Sequence, residues 1–407
     1  MEETVSRAAL IERYSDSGAD VHEIARRARA GDDTAARVFS DYGRALGEVF
    51  APWLESFGAT CLVVGGAIAA AWDLFAPSLR SALAELPSLE TIEPGSLLDH
   101  AALIGAAYDA RAGAARRRPA PRPVHELTVA EARAQQAGEH VDVDVDDGYA
   151  LETLELDGPV PIRLLRPRVS EPLPVCVWFP GGGWVLDTLA VSEPACRRLA
   201  AETPCAVALV RYRLAPEHPF PAPLEDCLAA TRWLLEAAGG LGLDPTRVAI
   251  GGTSAGGNLA AAVALRSRAE PVIPPAAQIL VYPALEAGAT ADVHGSAFSR
   301  RDADWCWSHY LRTPSDGRSP LASPLLAGEL DGLPPTLLVT AGVDPLREEA
   351  EVYAARLCEA GVSTELVSYA GAEHGFFSQT RTVDARAAQL VVVESLRRAF
   401  GIPDSSR

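Results

Sequence analysis

The sequence predicts an α/β fold: a central, mostly parallel sheet with helices on both faces and a helical cap, preceded by a mainly helical segment. Three observations carry this. Short, β-rich apolar runs recur through the second two thirds of the chain. Stretches with helical apolar spacing lie between most of them. The runs are continuously apolar rather than alternating, as strands covered on both faces are. A chain of 407 residues, 48% hydrophobic and 22% charged, has the composition of a globular protein with one large domain, with or without a smaller one.

From Asp32 to Phe57, apolar residues fall at helical spacing: Ala35, Val38, Phe39, Tyr42, Leu46, Val49, Phe50, Trp53 and Leu54. CLVVGG, from Cys61, reads as a short strand, and AIAAAWDLFAPSLRSALAEL as a further helix. ARAGAARRRPAPRP, Ala110 to Pro123, has no apolar period, and its prolines favour an extended spacer. A linker over 111–123 therefore separates a segment at 1–110 from a domain at 124–407.

In that domain, VDVDVDD and ALETLELDGPVPIRLLRP read as antiparallel edge strands. The apolar strands are predicted at 174–179, 205–212, 247–252, 277–283, 335–342 and 364–371. Helical patterns occupy Ser192–Glu202, Glu225–Ala237, Asn258–Arg268 and Leu346–Ala360. Ala284 to Leu330 is too long for a simple connection, and WCWSHYL at 305–311 reads as an inserted lid helix. Cap elements are thus expected near 124–140 and 284–330.

The net charge of −18 argues against nucleic acid or an anionic membrane as partner. There is no lysine, so Schiff-base and P-loop lysine chemistry are excluded. The seven cysteines are odd in number and form no C-x-x-C pair, which points to reduced thiols in a cytosolic protein. MEETVSRAALIERY has no apolar signal core, and the apolar run Cys61–Ala71 is broken by Gly65 and Gly66. A cytoplasmic location is expected, with no metal and no cofactor.

Gly252-Thr253-Ser254-Ala255-Gly256 is a G-x-S-x-G between an apolar strand and an Ala-rich helix. A serine on so sharp a turn sits in a strained backbone, and the flanking glycines give it room. Serine needs a base, and the base an orienting acid. Of eight histidines, only His294, His309 and His374 follow Ser254. His374, in AGAEHGFF, lies just past the last predicted strand. His309 lies inside the lid helix, and His294 in a loop with no strand to place it. Asp344 follows the strand between, with Pro345 opening the next helix, where it can also serve as an N-cap. The order Ser254, Asp344, His374, each at a strand's carboxyl end, predicts a nucleophile–acid–base triad.

FPGGGW, VRYRLAPEHPFPAPLEDC, GGTSAGGNLAAA, LPPTLLVTAGVDPLREEAEVYAARLCEAGV and YAGAEHGF together resemble the hormone-sensitive-lipase-like group of α/β-hydrolases, from about Leu127 to the C-terminus. The resemblance implies hydrolysis of a small-molecule carboxylic ester through an acyl-enzyme, usually with short acyl chains. It implies Ser254 as nucleophile, His374 as general base and then acid, and Asp344 as orienting acid. The oxyanion donors would be the N–H groups of Gly182, Gly183 and Ala255. Thr253 fits the group, which carries Asp or Thr there. Glu217 and His218, in PEHPFP, belong to a structural signature and are expected to be buried and paired. HELTVAEARAQQAG, His125 to Gly138, resembles the group's own cap helix. One position departs: Pro180 stands where the group has histidine. The donor N–H groups survive, but an imidazole that supports the loop is lost.

ARAGDDTAARVFSDYGRALGEVFAPWL, CLVVGGAIAAAWDLFAPSLRSAL and LLDHAALIGAAYDA resemble the C-terminal part of a sugar kinase of the ROK group. That group's D-x-G-x-T, its catalytic aspartate and its C-x-C-G cluster are missing from the sequence. Gly65 and Gly66 are therefore expected to form a structural turn, and the segment to be non-catalytic. It is free to pack on the hydrolase, replace part of its lid, or mediate self-association into a homo-oligomer. Two other functional readings stay open beside the serine esterase: a lyase or dehydratase on the same fold, and a catalytically weak binding or scaffold protein.

Overall fold

The structure, a computed structural model, describes Tyr14 and residues 21–56, 61–64, 71–84, 86, 89, 91–94, 121–138, 149–169, 172–269, 275–289, 291–293, 295–380 and 382–403. It divides into two compact units, 1–119 and 120–407, with the boundary inside the predicted linker.

In the first unit, α1 (Val21–Arg29), α2 (Asp33–Ser56) and α3 (Trp72–Ala82) surround a small core. The predicted period is realised: Ala35, Val38, Phe39, Tyr42 and Leu46 are all buried on one face of α2. Asp32 Oδ1 accepts from the N–H groups of Thr34 and Ala35, which caps the helix. Strands β1 (Cys61–Val64) and β2 (Thr91–Pro94) pair in parallel. The turn expected at Gly65 and Gly66 lies outside the described residues.

The second unit opens with a short helical turn at Val124–Glu126 and the cap helix α4 (Val129–Gly138). Strands β3 (Leu151–Asp157) and β4 (Pro161–Pro167) form the expected antiparallel hairpin. VDVDVDD lies outside the described residues. There follow β5 (Leu173–Phe179), α5 (Leu189–Glu202), β6 (Ala206–Val210), α6 (Ala222–Ala237), β7 (Leu243–Thr253), α7 (Ala255–Ala269) and β8 (Ala277–Val281). The remainder is α8 (Arg300–Tyr310), β9 (Thr336–Val343), α9 (Arg347–Glu359), β10 (Thr364–Glu373) and α10 (Val383–Phe400). The eight strands stand in the order β10-β9-β8-β7-β5-β6-β4-β3. The six from β10 to β6 run parallel, and β4 and β3 are antiparallel to their neighbours.

Every residue of β5, β6 and β8 is buried, and their sequences are apolar throughout but for Gln278 of β8, whose amide donates to Thr336 Oγ1 at 2.7 Å. Two cores lie on the two sheet faces, one under α6, α7 and α9, the other under α5 and α10. Each buried Val, Leu, Ile or Phe in them contributes roughly 1.5–3 kcal/mol. The edge strand β10 is mostly exposed or half-buried.

The predicted lid helix begins earlier than its apolar core suggests. Ser299 and Asp302 close a capping box that starts α8 at Arg300. Pro345, by contrast, does not open a helix. Helix α9 begins two residues later, at Arg347.

Candidate active site

Ser254, Asp344 and His374 each follow the last residue of their strand, β7, β9 and β10, so the sheet delivers all three to one edge. His374 Nε2 lies 2.9 Å from Ser254 Oγ, and His374 Nδ1 lies 2.7 Å from Asp344 Oδ2. An ionised carboxylate only accepts, so Nδ1 carries the proton and Nε2 offers its lone pair to the serine hydroxyl. Asp344 is fully buried, and its second oxygen accepts from Leu346 N–H at 2.9 Å. That bond closes a turn just ahead of α9, whose N-cap position is Leu346. Two aromatic rings pack against the imidazole. Phe298 stacks on it at 4.5 Å and Tyr282 tilts against it at 4.8 Å.

Ser254 has φ +54°, a left-handed backbone that a non-glycine residue holds only under constraint. Its N–H donates to Val281 O at 2.9 Å, and its carbonyl accepts from Asn258 N–H at 3.0 Å. The elbow also needs glycine at 256, because a Cβ there would run into the Phe179 carbonyl oxygen.

Across the site lies the loop that follows β5. Gly182 and Gly183 have φ of +92° and +59° and line the same cavity as Ser254 and His374. Val185 and Leu186 N–H both donate to Gly182 O, at 3.0 and 2.9 Å. In a trans peptide the C=O and N–H point in opposite directions, so this turns the Gly183 N–H away from the Val185–Leu186 turn. Ala255 opens α7 directly after the nucleophile.

Pro180 itself is buried, and the loop is held without an imidazole. The buried Tyr212 hydroxyl sits 2.8 Å from Pro180 O and 3.0 Å from Gly181 O. Trp184 stacks on Tyr310 of α8 at 4.1 Å. Cys306, also on α8, sits so close that a Cβ on Gly183 would overlap its Sγ. Burial pushes the Cys306 thiol up to about 12, so it stays protonated and is no competing nucleophile.

The cavity has a volume of about 220 Å³, and Val124, Leu186, Val191, Phe298 and Cys306 are among the residues that line it. Among the described residues, no group of three or more His, Cys, Asp or Glu is placed to hold a metal ion.

Other predicted residues divide. His309 packs on Trp305 at 4.4 Å, as expected of a lid-helix residue. His294 lies outside the described residues. Glu217 and His218 are exposed, not buried. Glu217 is nonetheless paired, through two 2.7 Å bonds from Arg133 of α4. The proline-rich loop turns outward there, and the cap helix supplies the partner. Tyr212, Arg133, Phe298 and Cys306 carried no signal in the sequence. Each acts through a neighbour far along the chain.

A serine in a strained strand-to-helix turn, with its histidine and aspartate on later strands of a mostly parallel sheet, defines an α/β-hydrolase. Residues 176–378 match the family model described as alpha/beta hydrolase fold, and residues 1–112 match that of the ROK family. The carboxylic ester hydrolase LipN of Mycobacterium tuberculosis is 40% identical over 255 residues, which cover 59% of this chain and 66% of that protein. The ethyl acetate hydrolase of Pseudomonas putida is 32% identical over 292 residues, covering 68% of this chain and 92% of that protein. A solved bacterial heroin esterase superposes with a TM-score of 0.65 at 35% identity, covering 69% of this chain and 94% of its own. The chain belongs to the hormone-sensitive-lipase-like group of α/β-hydrolases, a family of carboxylic ester hydrolases.

Proposed function

We propose that this protein hydrolyses short-chain carboxylic esters through an acyl-enzyme on Ser254. The observation that carries the reading is the line Ser254 Oγ, His374 Nε2, His374 Nδ1, Asp344 Oδ2, at 2.9 and 2.7 Å. His374 takes the Ser254 proton as Oγ attacks the ester carbonyl, and Asp344 stabilises the imidazolium that results. The N–H groups of Gly182, Gly183 and Ala255 receive the developing oxyanion. His374 then returns the proton to the departing alkoxide, and a water repeats the sequence on the acyl-enzyme. Short acyl chains suit a cavity of about 220 Å³, which is below the roughly 300–1,000 Å³ of sites for drug-sized ligands.

A chain-length series of p-nitrophenyl esters tests the reading. Acetate and butyrate should be hydrolysed fastest and palmitate slowest, and Ser254→Ala should abolish the difference from background. Equal rates for the wild type and Ser254→Ala would end it.

A further inference from the structure

The oxyanion loop is tied to a charge on the cap helix. We propose that Arg133 is a positioning residue that holds and polarises the Gly183 N–H. The inference rests on the proposed hydrolysis at Ser254 and adds a residue that acts through the loop without touching substrate.

Two hydrogen bonds, joined through two peptide units, carry it. Arg133 Nε–H donates to Val185 O at 2.9 Å. The other end of that peptide, Leu186 N–H, donates to Gly182 O at 2.9 Å. The other end of the next peptide is the Gly183 N–H, at the cavity. Both peptides are trans, so each carries its dipole onward from the guanidinium. Hydrogen bonds in such a chain polarise one another, and a fixed positive charge at its start makes the last N–H a stronger donor. That N–H is one of the donors proposed to face the oxyanion as it develops on the substrate carbonyl oxygen.

The guanidinium is fixed well enough to serve. Its remaining bonds reach Glu217 Oε1 and Oε2 at 2.7 Å each and Ala215 O at 2.8 Å. Ala215 N–H returns to Trp184 O at 2.9 Å, so anchor and loop are stitched together twice. Only a planar fork of donors spans these acceptors, and a lysine ammonium does not. Arg133 holds the Glu217 carboxyl down to about 2, so the pair is ionised at neutral pH. Glu217 is exposed, and a pair of that kind contributes little to stability. What the arrangement secures is the position of Val185 O. Tyr212 grips the loop from the sheet side, at Pro180 and Gly181, and Arg133 grips it from the cap side.

The test compares Arg133→Met and Arg133→Lys with the wild type on p-nitrophenyl butyrate. In Arg133→Met, kcat should fall about 10- to 100-fold while KM moves less than about threefold. Arg133→Lys should keep part of the rate, and added guanidinium ion should restore part of it to Arg133→Ala. A trifluoromethyl ketone, whose serine adduct carries an oxyanion, should bind more weakly by the same factor as kcat/KM falls. Wild-type kcat in Arg133→Met, or a lost rate with unweakened ketone binding, would overturn the proposal. If Arg133→Met does not fold, the same two readouts on Arg133→Lys decide it. A fluorophosphonate applied to the wild type separates the two levels. No adduct on Ser254 refutes the hydrolase reading beneath. An adduct together with unaltered Arg133 variants refutes this inference alone.

Discussion

The two halves of the site are built in different ways. The nucleophile elbow is made of backbone. Ser254 is held by strand β8, by its own helix and by a glycine packed on Phe179 O. The oxyanion loop is made of side chains that come to it: Tyr212 after β6, Arg133 from α4, and Trp307 and Tyr310 of α8 against Trp184. The first half lies within the sheet and the helix that follows Ser254, and the second draws on α4 and α8 as well. Substitutions in the elbow should therefore destroy fold and rate together, whereas those around the loop should lower rate with less effect on fold.

The largest effect is expected at the elbow. Gly256→Ala places a methyl against a strand carbonyl that cannot withdraw. It should cost about 3 kcal/mol or more, read as a lower denaturant midpoint, and leave little hydrolysis. Asp344→Asn should keep the fold but lower kcat by about 10⁴, because an amide no longer selects the productive tautomer of His374.

At the loop, Tyr212→Phe removes the donor shared by Pro180 O and Gly181 O. It should lower kcat about tenfold and stability by about 1–2 kcal/mol, measured by steady-state kinetics and urea titration. Pro180→His should change kcat less than about threefold, since the loop is already supported from both sides. A large gain there would mean that Tyr212 and the cap do not suffice.

This contrast also sets what the sequence disclosed. Ser254, Asp344 and His374 were legible because each sits at a strand's carboxyl end, and strands show as apolar runs. The hairpin β3–β4 and the α2 face were legible for the same reason, periodicity. The supports of the oxyanion loop were not. Arg133 meets Val185 52 residues on, and no spacing rule links a lone arginine on a cap helix to a distant carbonyl. Glu217 is paired as expected but exposed rather than buried, because its partner is on the cap helix rather than in the core. Asp344 answers to its reading as the acid, while the second role the sequence allows it, as an N-cap, gives way to a turn closed on Leu346 N–H before α9 starts.

A separate effect, on stability rather than rate, concerns a buried carboxyl behind the site. Glu349 accepts from Leu285 and Glu286 N–H, at 2.9 and 2.6 Å, yet burial pushes its pKa from 4.5 up to about 8. Raised above its unfolded value, the group gives stability that is complete below about 4.5 and is lost as pH rises through about 8. Glu349→Gln cannot ionise. Its Tm relative to wild type should climb between those values, by at most a few kcal/mol of stability. A constant difference across that range would show that Glu349 titrates normally.

The central claim is that Ser254 is an activated nucleophile. Treating the full-length protein with a fluorophosphonate and mapping the adduct by mass spectrometry tests it most directly. One equivalent on Ser254, formed in step with loss of ester hydrolysis, is the predicted result. Hydrolysis that survives with Ser254 unmodified, or an adduct at any other residue tracking the lost activity, would contradict it.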